Sequence, residues 1–196
     1  MKIENFFRLF LVAAISCASS VANGQPKILV VYYSQSGHTK AMAEAVARGA
    51  GSGAVKVKSV TEVTTEDVLS ADAVVVGSPV YNANVAPQVQ EFINRWPFEG
   101  SPLKDKIGAA FVTGGGISAG EELAQLSILH SMLVFGMIVV GGPEWTSAFG
   151  ASAIDGEPPF TGGVVDEKFL KKAEALGKRV VEVADRTRRQ SDRKSN

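Results

Sequence analysis

Short runs of apolar and β-branched residues alternate along the chain with longer stretches of helical pattern. Five of the runs have the length of β-strands, and they lie at Ile28–Tyr33, Val55–Val60, Ala73–Gly77, Ile107–Val112 and Met137–Val140. The first, third and fifth runs are almost continuously apolar, which is typical of parallel strands buried on both faces. The pattern therefore predicts a parallel sheet enclosed by other elements.

The segments between these runs carry helical patterns. We predict helices at Lys40–Gly49, Thr65–Leu69, Pro87–Trp96, Glu121–Phe135 and Asp166–Val183. Two acidic residues follow the first residue of the second segment, and a proline opens the third, as suits a first helical turn. Five strand–helix alternations predict one doubly wound α/β domain, for which 196 residues suffice.

Two segments break this alternation. Gly141–Gly163 is a long connection rich in glycine, proline and serine, and it contains Trp145 and two phenylalanines. Loops of this length are uncommon in compact domains and are usually functional or disordered, and the aromatic residues favour a loop that folds over another group. The polar, basic end predicts a disordered tail over residues 186–196, which leaves residues 27–185 for the domain.

The first 22 residues have the features of a secretory signal peptide. Lys2 and Arg8 precede a short apolar run, Leu9–Ile15, and small residues follow up to a predicted cleavage site after Ala22. The apolar run is shorter than the roughly 20 residues of a membrane span. We expect an exported protein, periplasmic or secreted; a retained leader and lipidation of Cys17 are the alternatives.

Composition excludes several classes of function. Basic and acidic residues number 20 each, and this balance offers no support for nucleic-acid binding. Cys17 is the only cysteine and lies in the predicted leader, so the mature chain would have neither disulfides nor a catalytic thiol.

A polar loop joins the first predicted strand to the first helix. In a parallel sheet such a loop lies at the ligand-binding edge, and the helix that follows offers free N–H groups to an anion. Both the Walker pattern and the dinucleotide fingerprint are absent. Hydroxyl groups and one glycine favour a phosphate cradle, while simple capping of the helix is the alternative. The residues concerned are Ser34, Gln35, Ser36, Gly37, His38 and Thr39.

Two more loops carry a resemblance to a known family. "GSPVYNANVAPQVQEFINRW" follows the third strand and "TGGGISAGEE" follows the fourth. With the Ser-x-Ser-Gly-x-Thr loop they resemble the WrbA-type NAD(P)H:quinone oxidoreductases, within the wider group of NADPH-dependent FMN reductases and flavodoxins. The resemblance spans Lys27 to about Val183. It implies a flavodoxin-like, doubly wound five-stranded parallel sheet of order 2-1-3-4-5, with helices on both faces.

The resemblance also implies roles for individual residues. The first loop would hold the phosphate of FMN, the third-strand loop would line the isoalloxazine, and backbone N–H groups of the fourth-strand loop would face its pyrimidine edge. The isoalloxazine residues would be Pro79, Val80, Tyr81 and Asn82. The pyrimidine residues would be Thr113, Gly114, Gly115, Gly116, Ile117 and Ser118. Trp96 matches an aromatic residue beside the family's substrate pocket. Ordinary packing is the alternative for Tyr81 and Trp96, and a flexible turn for the three glycines.

Some features depart from the family pattern. Val134 and Phe135 stand before Gly136 and Met137, where the family often has a flavin-contacting histidine. The segment between the second and third strands is shorter than in tetrameric members, which leaves open whether the chain forms a homo-oligomer. An export signal is also unusual for this group.

The resemblance implies an enzyme that passes two electrons from NAD(P)H through FMN to a quinone-like acceptor. Such chemistry needs no separate acid or base, because the cofactor reacts and the protein supplies orientation and electrostatic field. A flavodoxin-type electron carrier and a non-catalytic FMN-binding protein are the competing readings, and the neutral charge mildly disfavours the carrier.

Overall fold

A parallel sheet flanked by helices forms the centre of the molecule. The structure, a computed structural model, describes residues 24–51 and 53–194. The strands are β1 Ile28–Tyr32, β2 Val55–Ser59, β3 Ala73–Tyr81, β4 Asn84–Val85, β5 Ile107–Gly114, β6 Ile138–Val139 and β7 Ala151–Ile154. The helices are α1 His38–Ala50, α2 Thr65–Ser70, α3 Pro87–Asn94, α4 Glu121–Val134 and α5 Glu167–Lys194.

The strand order confirms the predicted doubly wound topology. Along the sheet the strands run β2-β1-β3-β5-β6, and these pairings are all parallel. The five predicted strands therefore occupy the order 2-1-3-4-5. The two-residue β4 pairs antiparallel with the end of β3, and β7 pairs parallel with β5. Reversal of the winding direction beside β1 places the loops after β1 and β3 at one crevice.

The fifth position of the sheet is filled by two separate strands. β6 pairs with the first residues of β5, whereas β7 pairs with its last four. The chain leaves the sheet between them, and the Gly142 N–H donates to the Ser147 carbonyl across this inserted segment. A side chain at Gly141 would collide with the Ala148 carbonyl, so glycine is required there. The sequence "ASAI" of β7 lacks the bulky β-branched run that predicts a strand.

The two faces of the sheet bury separate hydrophobic clusters. One cluster includes α3 and α4, and the other includes α1 and α5. Helices α1 and α5 touch backbone to backbone, because a side chain at Gly49 would collide with the Glu174 carbonyl and one at Gly177 with the Val46 carbonyl. This contact fixes α1, and with it the loop that precedes α1.

Both ends of the chain were predicted to lie outside the folded domain. α5 has 28 residues and reaches Lys194, where we expected a disordered tail from residue 186. Asp185 forms an i,i+4 ion pair with Arg189 at 2.7 Å, which supports the longer helix. The predicted leader, residues 1–22, lies outside the described residues. Among the described residues, we find no helix with the length and apolar character needed to cross a membrane.

Candidate functional site

Three loops meet at the carboxyl edge of the sheet. They are the β1 loop (residues 33–37), the β3 loop (79–86) and the β5 loop (115–120). The Tyr81 hydroxyl in the β3 loop donates to Gln35 Oε1 in the β1 loop at 2.9 Å. A side chain at Gly120 in the β5 loop would collide with Ala83 in the β3 loop. Residues from three distant stretches of sequence therefore lie together at one edge of the sheet.

The β1 loop leaves the amino end of α1 open. Gly37 is the N-cap residue, with φ +95°, and no side chain caps the helix. A Cβ atom at Gly37 would meet nothing within 4 Å, so the space beside it is free. The Ser34 hydroxyl accepts the Gly37 N–H at 3.1 Å. The hydroxyl groups of the β1 loop therefore do not cap α1. The N–H groups of its first turn remain available to an anion.

Thr39 differs from the expectation that its hydroxyl faces a phosphate. Its side chain is buried, and Oγ1 lies 2.7 Å from Thr113 Oγ1 at the end of β5. The second position of α1 points towards the sheet, so this hydroxyl links the helix to the strand. Thr39 retains its first-turn N–H as a possible donor to an anion.

His38 connects the β1 loop to a segment that the sequence did not associate with it. Its Nδ1 lies 3.0 Å from Ser36 Oγ. Its Nε2 lies 2.9 Å from Asp155 Oδ2 and 3.1 Å from the Gly163 carbonyl oxygen. The segment from 155 to 163, called the strap here, joins β7 to α5. Because it is more than 110 residues away in sequence, no local pattern could predict the contact.

The β3 loop is shaped by its own hydrogen bonds. Ser78 Oγ donates to the Pro79 carbonyl at 2.7 Å and accepts the Ala86 N–H at 2.8 Å. Asn82 and Ala83 adopt left-handed φ angles of 51° and 62°. This tight turn holds Pro79, Val80, Tyr81 and Asn82 at the carboxyl edge of the sheet, as predicted.

Tyr81 is half-buried, packs partly against the hydrophobic cluster and reaches the β1 loop. Burial raises the pKa of its hydroxyl, and the neighbouring Tyr33 raises it further. The phenol therefore stays protonated at neutral pH and keeps donating to Gln35. Tyr81 therefore packs against the hydrophobic cluster on one side and contacts the β1 loop through its hydroxyl on the other.

Carboxylates already occupy part of the β5 loop. The Ile117 N–H donates to Glu157 Oε2 at 2.6 Å, and the Ser118 N–H donates to Glu121 Oε1 at 2.8 Å. Gly115 has open space beside it, since a Cβ atom there would meet nothing within 4 Å. The backbone N–H groups of Ile117 and Ser118, both predicted to face the pyrimidine edge, are thus bound to carboxylates within the chain in this structure.

The strap contributes residues that the sequence analysis missed. The Asp155 N–H donates to the Gly114 carbonyl at 3.0 Å, and a side chain at Gly156 would press against the Gly115 carbonyl. Phe160 packs edge-on against Phe169 of α5, with ring centroids 5.0 Å apart. We expected the whole connection from Gly141 to Gly163 to fold over another group, but Trp145 in its first half is 88 % exposed.

Trp96 does not reach the three loops within this chain. Its indole is 6 % exposed and packs against Phe92 and Phe135, with ring centroids 5.5 and 5.3 Å away. α3 starts at the carboxyl edge of the sheet, and Trp96, just beyond the end of α3, lies in the hydrophobic cluster on that face. The predicted role beside a substrate pocket is corrected here to core packing.

The remaining residues suit FMN. Its phosphate would lie at the open helix end beside Gly37, near Ser34 and Ser36, and its ring would lie along the β3 and β5 loops. The hydroxyl and backbone N–H donors are uncharged, so they can bind a phosphate without a buried lysine or arginine.

Several known proteins are similar to this chain in sequence. Residues 52–152 match the model of the NADPH-dependent FMN reductase family. A flavodoxin from Aquifex aeolicus is 36% identical over 169 residues, which cover 80% of this chain and 85% of that protein. An NAD(P)H dehydrogenase (quinone) from Archaeoglobus fulgidus is 31% identical over 191 residues, covering 82% of this chain and 98% of that protein.

A solved structure has the same fold. The flavodoxin, WrbA-like protein from Agrobacterium tumefaciens superposes with a TM-score of 0.71 at 22% identity, over 83% of this chain and 99% of that one. The extent of the sequence matches and the shared topology lead to one conclusion. The chain belongs to the flavodoxin-like family that includes the WrbA-type proteins and the NADPH-dependent FMN reductases.

Proposed function

We propose that the protein is an FMN-dependent oxidoreductase that passes two electrons from NAD(P)H to a quinone-like acceptor. The observation that carries the proposal is the meeting of the β1, β3 and β5 loops at one edge, with an uncapped helix end beside Gly37. Bound FMN would supply the hydride chemistry. The similar proteins named NAD(P)H dehydrogenase (quinone) support the donor and acceptor classes.

The chain's own residues would bind and orient the cofactor. Ser34, Ser36 and the first turn of α1 would donate to the phosphate, and Tyr81 would stay close to the ring through its bond to Gln35. Backbone groups of the β5 loop would face the pyrimidine edge. Since the donor and the acceptor would use one open face in turn, the protein needs no residue that acts as an acid or base.

An electron carrier is the second candidate. The similarity to a flavodoxin, over 80% of this chain, favours it. A carrier would exchange single electrons with protein partners and would leave pyridine nucleotides largely unoxidised. The two functions therefore predict different kinetics.

Stopped-flow mixing of the FMN-loaded protein with NADPH and with NADH separates the candidates. If the protein is the enzyme, at least one nucleotide should reduce the bound FMN rapidly and bleach its yellow colour. A quinone should then reoxidise the FMN and restore the colour, and the steady-state kinetics should be ping-pong. A protein that neither nucleotide reduces, and that takes up electrons from dithionite in two resolved single steps, would be the carrier.

The cofactor assignment has its own test. Ser36→Ala should weaken binding of FMN more than binding of riboflavin, by about three- to tenfold, because riboflavin lacks the phosphate. Equal losses for both ligands would show that the β1 loop does not recognise a phosphate.

We also propose that the mature protein is exported, which rests on the leader pattern up to Ala22. Amino-terminal sequencing of the protein from cell fractions should find a chain that starts near Asn23 outside the cytoplasm. A chain that starts at Met1 in the cytosolic fraction would contradict the proposal. Light scattering on the same material measures the oligomeric state.

A further inference from the structure

A chain of hydrogen bonds runs from the β1 loop to the strap through one imidazole ring. Ser36 Oγ lies 3.0 Å from His38 Nδ1, and His38 Nε2 lies 2.9 Å from Asp155 Oδ2 and 3.1 Å from the Gly163 carbonyl oxygen. The side chains of His38 and Asp155 are 21% and 13% exposed, so the pair is partly shielded from solvent.

The acceptors around the ring determine where its protons lie. A carboxylate and a carbonyl oxygen can only accept, so Nε2 must carry a proton in order to bond either of them. Nδ1 then has two options. In the neutral ring it accepts the Ser36 hydroxyl proton; in the imidazolium it donates to Ser36 Oγ instead.

This difference changes what Ser36 can offer to a phosphate. While its proton is directed at Nδ1, the hydroxyl presents only lone pairs to an incoming phosphate oxygen. When Nδ1 donates, the hydroxyl proton is free to point at the phosphate, and the ring adds a positive charge nearby. A phosphate in the loop therefore favours the imidazolium.

The surroundings of the ring make this proton uptake depend on the ligand. His38 is the first residue of α1, where the positive end of the helix dipole disfavours a cation until an anion arrives. Among the charged groups of the described residues, Asp155 contacts the ring. Lys40 on α1 is paired with Glu44, Glu157 of the strap is bonded to Ile117, and Asp166 before α5 accepts the Lys168 N–H.

We propose that His38 takes up a proton when FMN binds and thereby makes the preference for FMN over riboflavin depend on pH. The proposal rests on the proposed function, because it requires the β1 loop to hold the FMN phosphate. His38 acts as a specificity-determining residue through Ser36, and Asp155 stabilises the charged ring. The affinity gained from the charged ring is present at low pH and is lost as the pH rises.

Isothermal titration calorimetry tests the proton count directly. The wild-type protein is titrated with FMN at pH 7.5 in buffers of different ionisation enthalpy. FMN binding should take up as much as one proton, which protonates Nδ1. Riboflavin binding should take up close to none. In His38→Gln, which cannot be protonated, FMN uptake should fall to the riboflavin level.

The chain offers a matched control in its other histidine. His130 is exposed on α4, so His130→Gln should keep the wild-type proton uptake. Asp155→Asn provides a second test in case His38→Gln does not fold: the uptake at pH 7.5 should fall and FMN should bind more weakly, with riboflavin unaffected. Circular dichroism establishes that each variant is folded.

The pH profile gives a second readout. From pH 6.5 to 8.5 the ratio of FMN affinity to riboflavin affinity should fall about tenfold in the wild type. This is the change in affinity expected when one charge-assisted hydrogen bond is lost. The ratio should stay flat in His38→Gln. The titration of the phosphate itself, near pH 6, affects both proteins equally.

The outcomes separate the two proposals. Equal proton uptake by wild type and His38→Gln, or FMN binding without uptake, would overturn the role of His38 and leave the proposed function intact. Absence of FMN binding to the wild type at every pH would overturn the proposed function itself.

Discussion

Small differences in where a hydroxyl or a carboxylate points decide what the site can bind. Ser36 is exposed in the β1 loop, whereas Thr39, three residues later, is buried against Thr113. Both are hydroxyl residues in one motif, yet they face opposite sides of the loop because α1 starts between them. Glu157 is a comparable case, since its carboxylate reaches a backbone N–H of the β5 loop from the strap.

The charge of Glu157 should influence the reduction of a bound flavin. Reduced flavin carries negative charge near its pyrimidine edge, and a carboxylate at Ile117 N–H opposes it. In Glu157→Gln the amide oxygen can still accept this bond without the charge. We expect the two-electron midpoint potential of bound FMN to rise by about 10–30 mV, measured by dye-linked titration.

Glu99→Gln is the control for this experiment, because Glu99 is exposed and belongs to a segment next to Phe98 and Trp96 rather than to the site loops. A potential that is the same in Glu157→Gln and the wild type would mean that the carboxylate moves away when the flavin binds.

At the scale of the elements, close helix packing holds the β1 loop in place, and a capping box holds α2. α1 carries the β1 loop and rests against α5 through Gly49 and Gly177. α2, on an outer part of the fold, is held by Asp67, which bonds Lys58 of β2 at 2.7 Å and closes a capping box with Thr64.

Gly177→Ala should destabilise the protein although alanine favours helices. The new methyl group would collide with the Val46 carbonyl, a backbone atom, so α1 and α5 would have to separate. We expect the free energy of unfolding to fall by roughly 1–3 kcal/mol, measured in urea. Gly162→Ala serves as the control, since its Cβ would meet only Val164 Cγ2 at 4.0 Å. Equal stability of Gly177→Ala and wild type would show that the helices can adjust without cost.

Asp67 should make stability depend on acid pH. The hydrogen bond from Lys58 holds the pKa of the Asp67 carboxyl well below its usual range, and the Thr64 N–H adds to this. A lowered pKa in the folded state gives stability that is present above the ordinary value of about 4 and is lost as the pH falls below it. Asp67→Asn should therefore lower the free energy of unfolding at pH 7, by about 1 kcal/mol, the usual value of a helix cap.

The difference in free energy of unfolding between Asp67→Asn and the wild type should stay constant from pH 7 to 5 and shrink below about pH 4. Urea unfolding at pH 7, 5 and 3 measures it. Glu66→Gln, on the exposed side of the same helical turn, should show no such pattern. A difference that grows towards low pH would contradict the assignment.

For the whole molecule, one edge of a rigid sheet carries the site and two cores on either face support it. Most strand residues of β1, β3 and β5 are buried, so these strands hold the three loops in fixed positions. Ligand binding at this edge should therefore stabilise the entire domain and not only the loops.

FMN should raise the melting temperature of the apoprotein. At about one hundred times the dissociation constant a ligand adds roughly 2.7 kcal/mol to stability, which in a domain of this size corresponds to a shift of roughly 5–10 °C. Differential scanning calorimetry with FMN, with riboflavin at the same concentration and without ligand measures the shift. A melting temperature that FMN leaves unchanged would argue against the site.

Much of this protein is determined by local sequence. The apolar runs at Ile28 and Ala73 indicate buried parallel strands, because they lack the polar alternation that a one-sided strand needs. The hydroxyl-rich loop before α1 and the glycines after β5 indicated the cofactor edge for a similar reason: few other residue types let a backbone approach a bound group so closely. Each of these signals is contained in one short stretch of sequence.

Other features were decided by tertiary structure alone. The contact of His38 with Asp155 joins residues far apart in sequence, and only the pairing of β7 with β5 brings them together. β7 itself was missed, because small residues form a strand there only when a buried neighbour supplies the ladder. The resemblance placed Trp96 beside the substrate pocket, but within this chain its ring is buried against Phe92 and Phe135. Sequence patterns specify which chemistry the edge can hold, and long-range packing decides which side chains reach it.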